Sequence, residues 1–296
     1  MLMLLSPAKT LDMRATPCGM RSEHCMKEQR RQLLSCCEKL SKGDLKKMAG
    51  VSDAIANLNH DRFQSFDQQP EKQACLAFDG PAFRGLQAAT FDDSDQAFAQ
   101  QHLRILSGLY GILRPYDLIQ PYRLEMGSKL ETPKGKDLYS FWGDQITEQL
   151  NADLLAAGAK MVVNCASQEY FKAVRRAKVN ATVVECRFPG PSVYAKQARG
   201  MMCRFIVQEK IADVAGLKRF SGYGDNTYAF SEAQSTDCAL VFLRVAAAKA
   251  PATTKATTPT SKSNGKTSGA SKNDTVSSKR KGDESHGRPQ SNKRRK

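Results

Sequence analysis

Ser6, Lys9 and Asp12 follow the apolar run "MLMLL" at three-residue intervals. A hydroxyl, an amine and a carboxylate after a buried strand can bind or act on a ligand, because α/β sheets hold ligands at strand ends. Lys9 could hold a phosphate, and Ser6 could be a nucleophile activated by Lys9. No G-x-S-x-G or P-loop spacing accompanies them, so a proline turn with a surface lysine is the plainer reading. A second group lies in "NCASQEYFKAVRRAKV". Asn164 ends a strand there, Ser167 can cap the next helix, and Glu169 and Tyr170 follow. Lys172, Arg175, Arg176 and Lys178 form a basic cluster. On one helix, 172, 175 and 176 would share a face and present three charges to a phosphate backbone. The alternative is a solvated helix end, where the helix dipole favours cations. In "YAKQARGMMCRF", Lys196, Arg199 and Arg204 sit opposite Met201, Phe205 and Ile206, and both a phosphate contact and a solvated face stay open.

The densest text is "RILSGLYGILRPYDLIQPYRLEMG", residues 104–127. A helix ending near residue 107, a turn at Gly108 and Gly111, and a second helix from Ile112 would make a helix-hairpin-helix. Glycines in such a turn let a DNA backbone come close, and the N–H groups of the second helix point at a phosphate. Arg104, Arg114 and Arg123 would add charge-assisted bonds. Spacing alone favours a plainer alternative, in which Gly108 ends one helix and the aliphatic residues are core.

Elements must hold these groups in place. Strands are expected at 1–5, 74–78, 160–167, 181–188 and 238–245, where apolar and β-branched residues run together. Helices are expected at 23–40, 41–50, 52–57, 94–106, 137–155, 168–174 and 194–211. Interleaved strands and helices define an α/β or mixed α+β class. Hydrophobic residues make up 41% of the chain, enough for a real core.

The net charge of +15 is unevenly spread. Residues 249–296 hold 13 Lys and Arg against 3 Asp and Glu, and the preceding 248 hold 32 against 27. That last segment has no aromatic residue and is rich in Ser, Thr, Lys and Pro. It cannot bury enough surface to offset its ordering entropy, so it is expected to be a disordered basic tail after a single domain at 1–248. Its clusters Lys279-Arg280-Lys281 and Lys293-Arg294-Arg295-Lys296 have bipartite nuclear-import spacing. An import receptor is therefore an expected partner and the nucleus an expected location, with the cytoplasm as the alternative. Nine cysteines without a C-x-x-C pair read as reduced intracellular thiols, and Cys203 beside Arg204 is the nearest candidate for a low-pKa thiol. Histidines 24, 60, 102 and 286 lack metal-ligand spacing, so neither metal nor cofactor is expected. No apolar run is long enough for a signal core or a bilayer span, and a membrane is not an expected partner.

"LLSPAKTLD", "FAQQHLRILSGLYGILRPYDLIQPYRLEMG", "GKDLYSFWGDQIT", "VVNCASQEYFKAV" and "YAKQARGMMCRFI" occur in that order. Together, over residues 1–245, they closely resemble the YaaA family of peroxide-stress proteins. The resemblance implies one compact domain of cantaloupe-like fold with a positively charged cleft and a helix-hairpin-helix, placed here on residues 106–118. It implies binding of duplex or branched DNA without sequence specificity, and a role in DNA repair and in limiting free iron. The DNA-binding residues would be Lys9, Arg104, Gly108, Gly111, Arg114, Arg123, Lys172, Arg175, Arg176, Lys196, Arg199 and Arg204. Two features depart from the family: a short "PGPSV" link before "YAKQARG", which shortens one cleft edge, and the basic tail. The rival is an enzyme acting on a nucleotide or nucleic acid, with Ser6, Lys9, Asn164, Ser167, Glu169 and Tyr170 converging in one cleft. An iron-sequestering protein is the weakest reading, for want of ligand clusters.

Overall fold

Leu2–Leu5 form strand β1, and none of their side chains is exposed. Such a strand must be covered on both faces. The computed structural model that contains it describes residues 1–245. The chain divides into a unit Met1–Ala248 and a unit Lys249–Lys296. The expected tail and its import clusters lie outside the described residues.

After β1 come β2 (Thr10–Leu11) and the helices α1 (Lys27–Cys37), α2 (Lys42–Ala49) and α3 (Asp53–Gln64). α2 begins with a capping box, Ser41 Oγ accepting from the Asp44 N–H while the Asp44 carboxylate accepts from the Ser41 N–H. The small elements β3 (Lys72–Gln73), α4 (Ala74–Ala77), β4 (Phe78–Asp79) and α5 (Pro81–Leu86) follow. Then α6 (Asp93–His102) leads into β5 (Leu103–Ser107), β6 (Gly111–Leu113) and β7 (Leu118–Ile119). The second half holds α7 (Leu138–Trp142), α8 (Gln145–Ala156), β8 (Met161–Asn164), α9 (Gln168–Phe171), β9 (Thr182–Arg187) and α10 (Ser192–Gln208). α11 (Val214–Lys218), β10 (Gly222–Tyr223), β11 (Asn226–Phe230) and β12 (Ala239–Arg244) complete the described chain.

Eight strands form one sheet in the order β10-β11-β12-β9-β8-β1-β5-β6. The five from β12 to β5 are parallel, and the outer pairs at either edge are antiparallel. The molecule is therefore a mixed α/β domain. In chain order the parallel strands stand 2-1-3-4-5, a doubly wound arrangement whose direction of winding reverses beside β1. Among the described residues, no helix is long and apolar enough to cross a membrane.

Several expectations are corrected. Residues 103–107 continue no helix; they are β5, whose Leu103, Arg104 and Ile105 pair with Met3, Leu4 and Leu5. Residues 74–78 are a helical turn ending in a short strand, held by N–H donation from Ala74 to Asp117 O and from Cys75 to Pro115 O. The helix expected at 137–155 breaks at Gly143, whose φ of +50° suits glycine. The hairpin β10–β11 went unread, because its strands are short and mostly polar.

Residues 106–118 form no helix-hairpin-helix. They form the β5–β6 hairpin, with Ser107 opposite Gly111 and the Tyr110 N–H donating to Ser107 Oγ. Its glycines are needed by the chain itself. A Cβ on Gly108 would lie 2.3 Å from the Leu124 carbonyl oxygen. Gly111 has φ +71°, and a Cβ there would lie 2.6 Å from Met26 Sδ and 2.8 Å from the Trp142 ring. Gly111→Val should therefore lower folding stability by about 3 kcal/mol or more, read by urea unfolding, and a variant with unchanged stability would contradict this packing.

His24 is 9% exposed, stands edge-on to Tyr110 at 4.9 Å, and its Nδ1 has no hydrogen-bond partner among the described residues. Burial, with Arg30 and Lys27 nearby, lowers its pKa from 6.5 to about 4. The fold holds the ring neutral, so this contribution is complete above pH 6.5 and is lost as pH falls towards 4. Between those values the native chain should lose roughly 3 kcal/mol more than His24→Phe does, measured as the difference between their stability–pH curves. Parallel curves would show that His24 is not the group responsible.

Candidate functional site

Where the winding reverses, the carboxyl ends of β1 and β8 lie side by side. β1 runs into Ser6, and β8 runs into Cys165, whose N–H donates to the Leu4 carbonyl and extends the ladder by one bond. Asn164 is 2% exposed, and its Oδ1 accepts from the Ala166 N–H, bending the chain out of the sheet. That bend brings Ser167 to Ser6. Ser6 Oγ accepts from the Ser167 N–H at 2.8 Å and donates to Ser167 Oγ at 3.2 Å.

Above these serines opens a cavity of about 500 Å³. Its wall includes Ser6, Lys9, Ser167, Glu169, Tyr170, Lys196 and Arg199, which the sequence placed in three separate segments. Asn164 shapes the site from beneath, outside the lining. Lys9 reaches Glu125 at 2.8 Å, and Arg123 meets the same carboxylate at 3.1 Å. Glu169 accepts from the Gly127 N–H at 3.0 Å, and its backbone carbonyl takes the Tyr139 hydroxyl. Tyr170 is 8% exposed, and burial pushes its phenol pKa well up. Lys196 and Arg199 have no ion-pair partner among the described residues, and Arg199 Nε is a buried donor without an acceptor.

The cavity also holds residues that sequence reading missed: Asp79, Gly80, Arg84 and Glu125. "FDGPAFRGL" carries a signal for the first three. Pro81 opens α5, and Gly80 gives the chain room, since a Cβ there would lie 2.9 Å from that of Ala8. α5 then lies directly on α10. A Cβ on Gly200 would be 1.7 Å from the Ala82 oxygen, and one on Gly85 would be 2.1 Å from the Gln197 oxygen. This backbone contact fixes α5, which carries Arg84, against α10, which carries Lys196, and both residues line the cavity. Arg84 is steadied by Asp79 at 3.4 Å.

Other expected contacts lie elsewhere. Arg104 is 4% exposed and spends its guanidinium on Asp153 at 2.5 Å and on carbonyls of Gln100, Gln101 and Leu103. It is a core residue, because freeing it for DNA would strip the buried Asp153 of its closest cation. Arg114 is exposed beside the same Asp153, at 3.9 Å. Lys172, Arg175 and Arg176 share no helix face, since α9 stops at Phe171. Lys172 lies over the Tyr139 ring, Arg175 and Lys178 pair with Asp144, and Arg176 reaches the Val183 carbonyl. Arg204 covers Tyr223 and binds Gln87 and Gln208.

Cys165 forms part of the cavity floor. Hydrogen bonding from the thiols of Cys186 and Cys203, with Arg199 adding to it, lowers the Cys165 pKa. Cys203 itself is fully buried and its thiol is pushed up, so the low-pKa candidate of the sequence is a core thiol.

A doubly wound sheet with a mostly apolar cavity, carrying seven charged side chains, at its winding reversal makes this a protein of the α/β class. The family described as peroxide stress protein YaaA matches residues 1–234. The chain belongs to that family.

The helix contact that walls the cavity is testable. Gly200→Ala should lower folding stability by about 3 kcal/mol, because the added carbon must push α5 away. A urea midpoint equal to that of the parent chain would show that the helices are not held at this distance.

Proposed function

We propose that this peroxide-stress protein binds duplex or branched DNA, chiefly through its phosphates, and so supports DNA protection and repair. One observation carries the reading: Lys9, Arg84, Lys196 and Arg199 stand around a single opening at the carboxyl edge of the sheet, with Lys196 and Arg199 unpaired among the described residues. Unpaired cations on a fixed scaffold suit phosphate oxygens and require no sequence readout. Lys172, held over Tyr139, would extend the contact along one side. The buried Arg104 and the two hairpin glycines take no part.

The same opening holds Asp79, Glu125 and Glu169, so it is mixed in charge rather than uniformly basic. Convergence of Ser6, Lys9, Ser167, Glu169 and Tyr170 on the cavity favours a second reading, in which a small ligand is bound or transformed there.

Gel-shift titration of the full chain with a closed circular duplex tests the DNA reading. Affinity should fall steeply with salt, and Lys196→Glu should weaken binding and reduce the salt slope by about 1. A flat salt response, or a Lys196→Glu chain that binds like the parent, would remove the cavity rim from the DNA contact.

A further inference from the structure

We propose that the cavity at the winding reversal is a site for a nucleotide phosphomonoester, held with its phosphate against Lys196, Arg199 and Ser167. The inference deepens the second reading above by naming its ligand class, and it stands independently of duplex binding.

The size comes first. A space of about 500 Å³ matches a small-molecule site. A duplex cannot enter it, whereas one nucleotide can.

The charges come second. Seven charged side chains line the space, and five of them are already engaged. Asp79 holds Arg84, Glu125 holds Lys9, and Glu169 is fixed by the Gly127 N–H. Lys196 and Arg199 are left without a carboxylate among the described residues. Two unmatched cations suit a phosphomonoester, which carries close to two negative charges at neutral pH, better than a diester, which carries one. Arg199 Nε is buried without an acceptor among the described residues, and a buried donor left bare is costly unless a ligand supplies one. The serine pair adds a further donor. Ser6 spends its proton on Ser167 Oγ, so the Ser167 hydroxyl keeps its own proton for the ligand.

The rest of the lining suits a nucleoside. Pro7, Ala8, Pro81 and Ala82 give an apolar surface for a ring. Asp79 and Glu169 retain carboxylate lone pairs for base amino groups or sugar hydroxyls. Inorganic phosphate alone would use only the cationic end.

A free mononucleotide and the phosphorylated end of a DNA strand share this chemistry, and calorimetry on the full chain separates them. AMP and dTMP are titrated beside adenosine, thymidine and inorganic phosphate. Short single strands with and without a 5′-phosphate form the second arm. The monophosphates should bind at least about tenfold more tightly than their nucleosides, and Arg199→Met and Lys196→Ala should each weaken them about tenfold. Lys196 is exposed, so its variant keeps the test usable if Arg199→Met fails to fold. A strand that binds tightly only when phosphorylated, and that AMP displaces, identifies a strand end as the source. Tight AMP binding with no effect of strand phosphorylation identifies the free nucleotide. Equal binding of nucleoside and monophosphate, no binding of either monophosphate to the folded chain, or indifference to both substitutions would each overturn the proposal. A chain that binds AMP yet fails to bind the circular duplex supports it while removing the DNA reading.

Discussion

The ladder that pairs Leu2–Leu4 of β1 with Val162–Asn164 of β8 is the contact on which the site depends. It places two strand ends side by side where the winding of the sheet reverses. Neither neighbouring connection crosses above that point in a doubly wound sheet, so a crevice is left open there. Ser6 and Ser167 are 161 residues apart, and this pairing alone makes them hydrogen-bond partners. All four residues of β1 are fully buried, so both faces of the strand are covered and its ladder is shielded from solvent.

The helical wall depends on a second constraint, the absence of side chains at Gly85 and Gly200. Backbone meets backbone there, and α5 and α10 share the most extensive helix contact among the described elements. Close packing transmits position, since well-filled interiors do not deform gradually. Arg84, on the short α5, therefore inherits the placement of the 17-residue α10 that carries Lys196 and Arg199.

Charge is handled differently in the core and at the cavity. The buried Arg104–Asp153 pair is closed by three backbone carbonyls on Arg104 Nη1 and lies outside the cavity lining. At the cavity the carboxylates are tied to neighbours, whereas Lys196 and Arg199 have no carboxylate partner among the described residues. Removing either partner of a buried pair leaves an uncompensated charge, which makes such pairs poor binding groups. Open cations on a walled cavity are better ones. Beneath them, the thiols of Cys165, Cys186 and Cys203 meet, and Cys165 is the one that borders the cavity.

The sequence by itself determined the alternation of strands and helices, the capped start of α2, the strong strands β8, β9 and β12, and the membership of the pieces "SPAKTLD", "NCASQEYFK" and "YAKQARG" in one family. Those signals are local: apolar runs, caps and motif text. It also picked out Ser6, Lys9, Ser167, Glu169, Tyr170, Lys196 and Arg199 of the cavity lining, because each sits just past a strand end or on an amphipathic helix, and it missed Asp79, Gly80, Arg84 and Glu125. Only the tertiary structure decided that residues 103–107 are a strand, since "LRILS" has no periodicity that separates it from the helix before it and only pairing with β1 does so. It alone decided that Gly108 and Gly111 face Leu124, Met26 and Trp142 rather than a ligand, because a glycine's role depends on what lies opposite its missing Cβ. It alone decided that Arg104 is a core ion pair while Arg199 borders a cavity, since an arginine's sequence neighbours say nothing of which carboxylate the fold brings within reach.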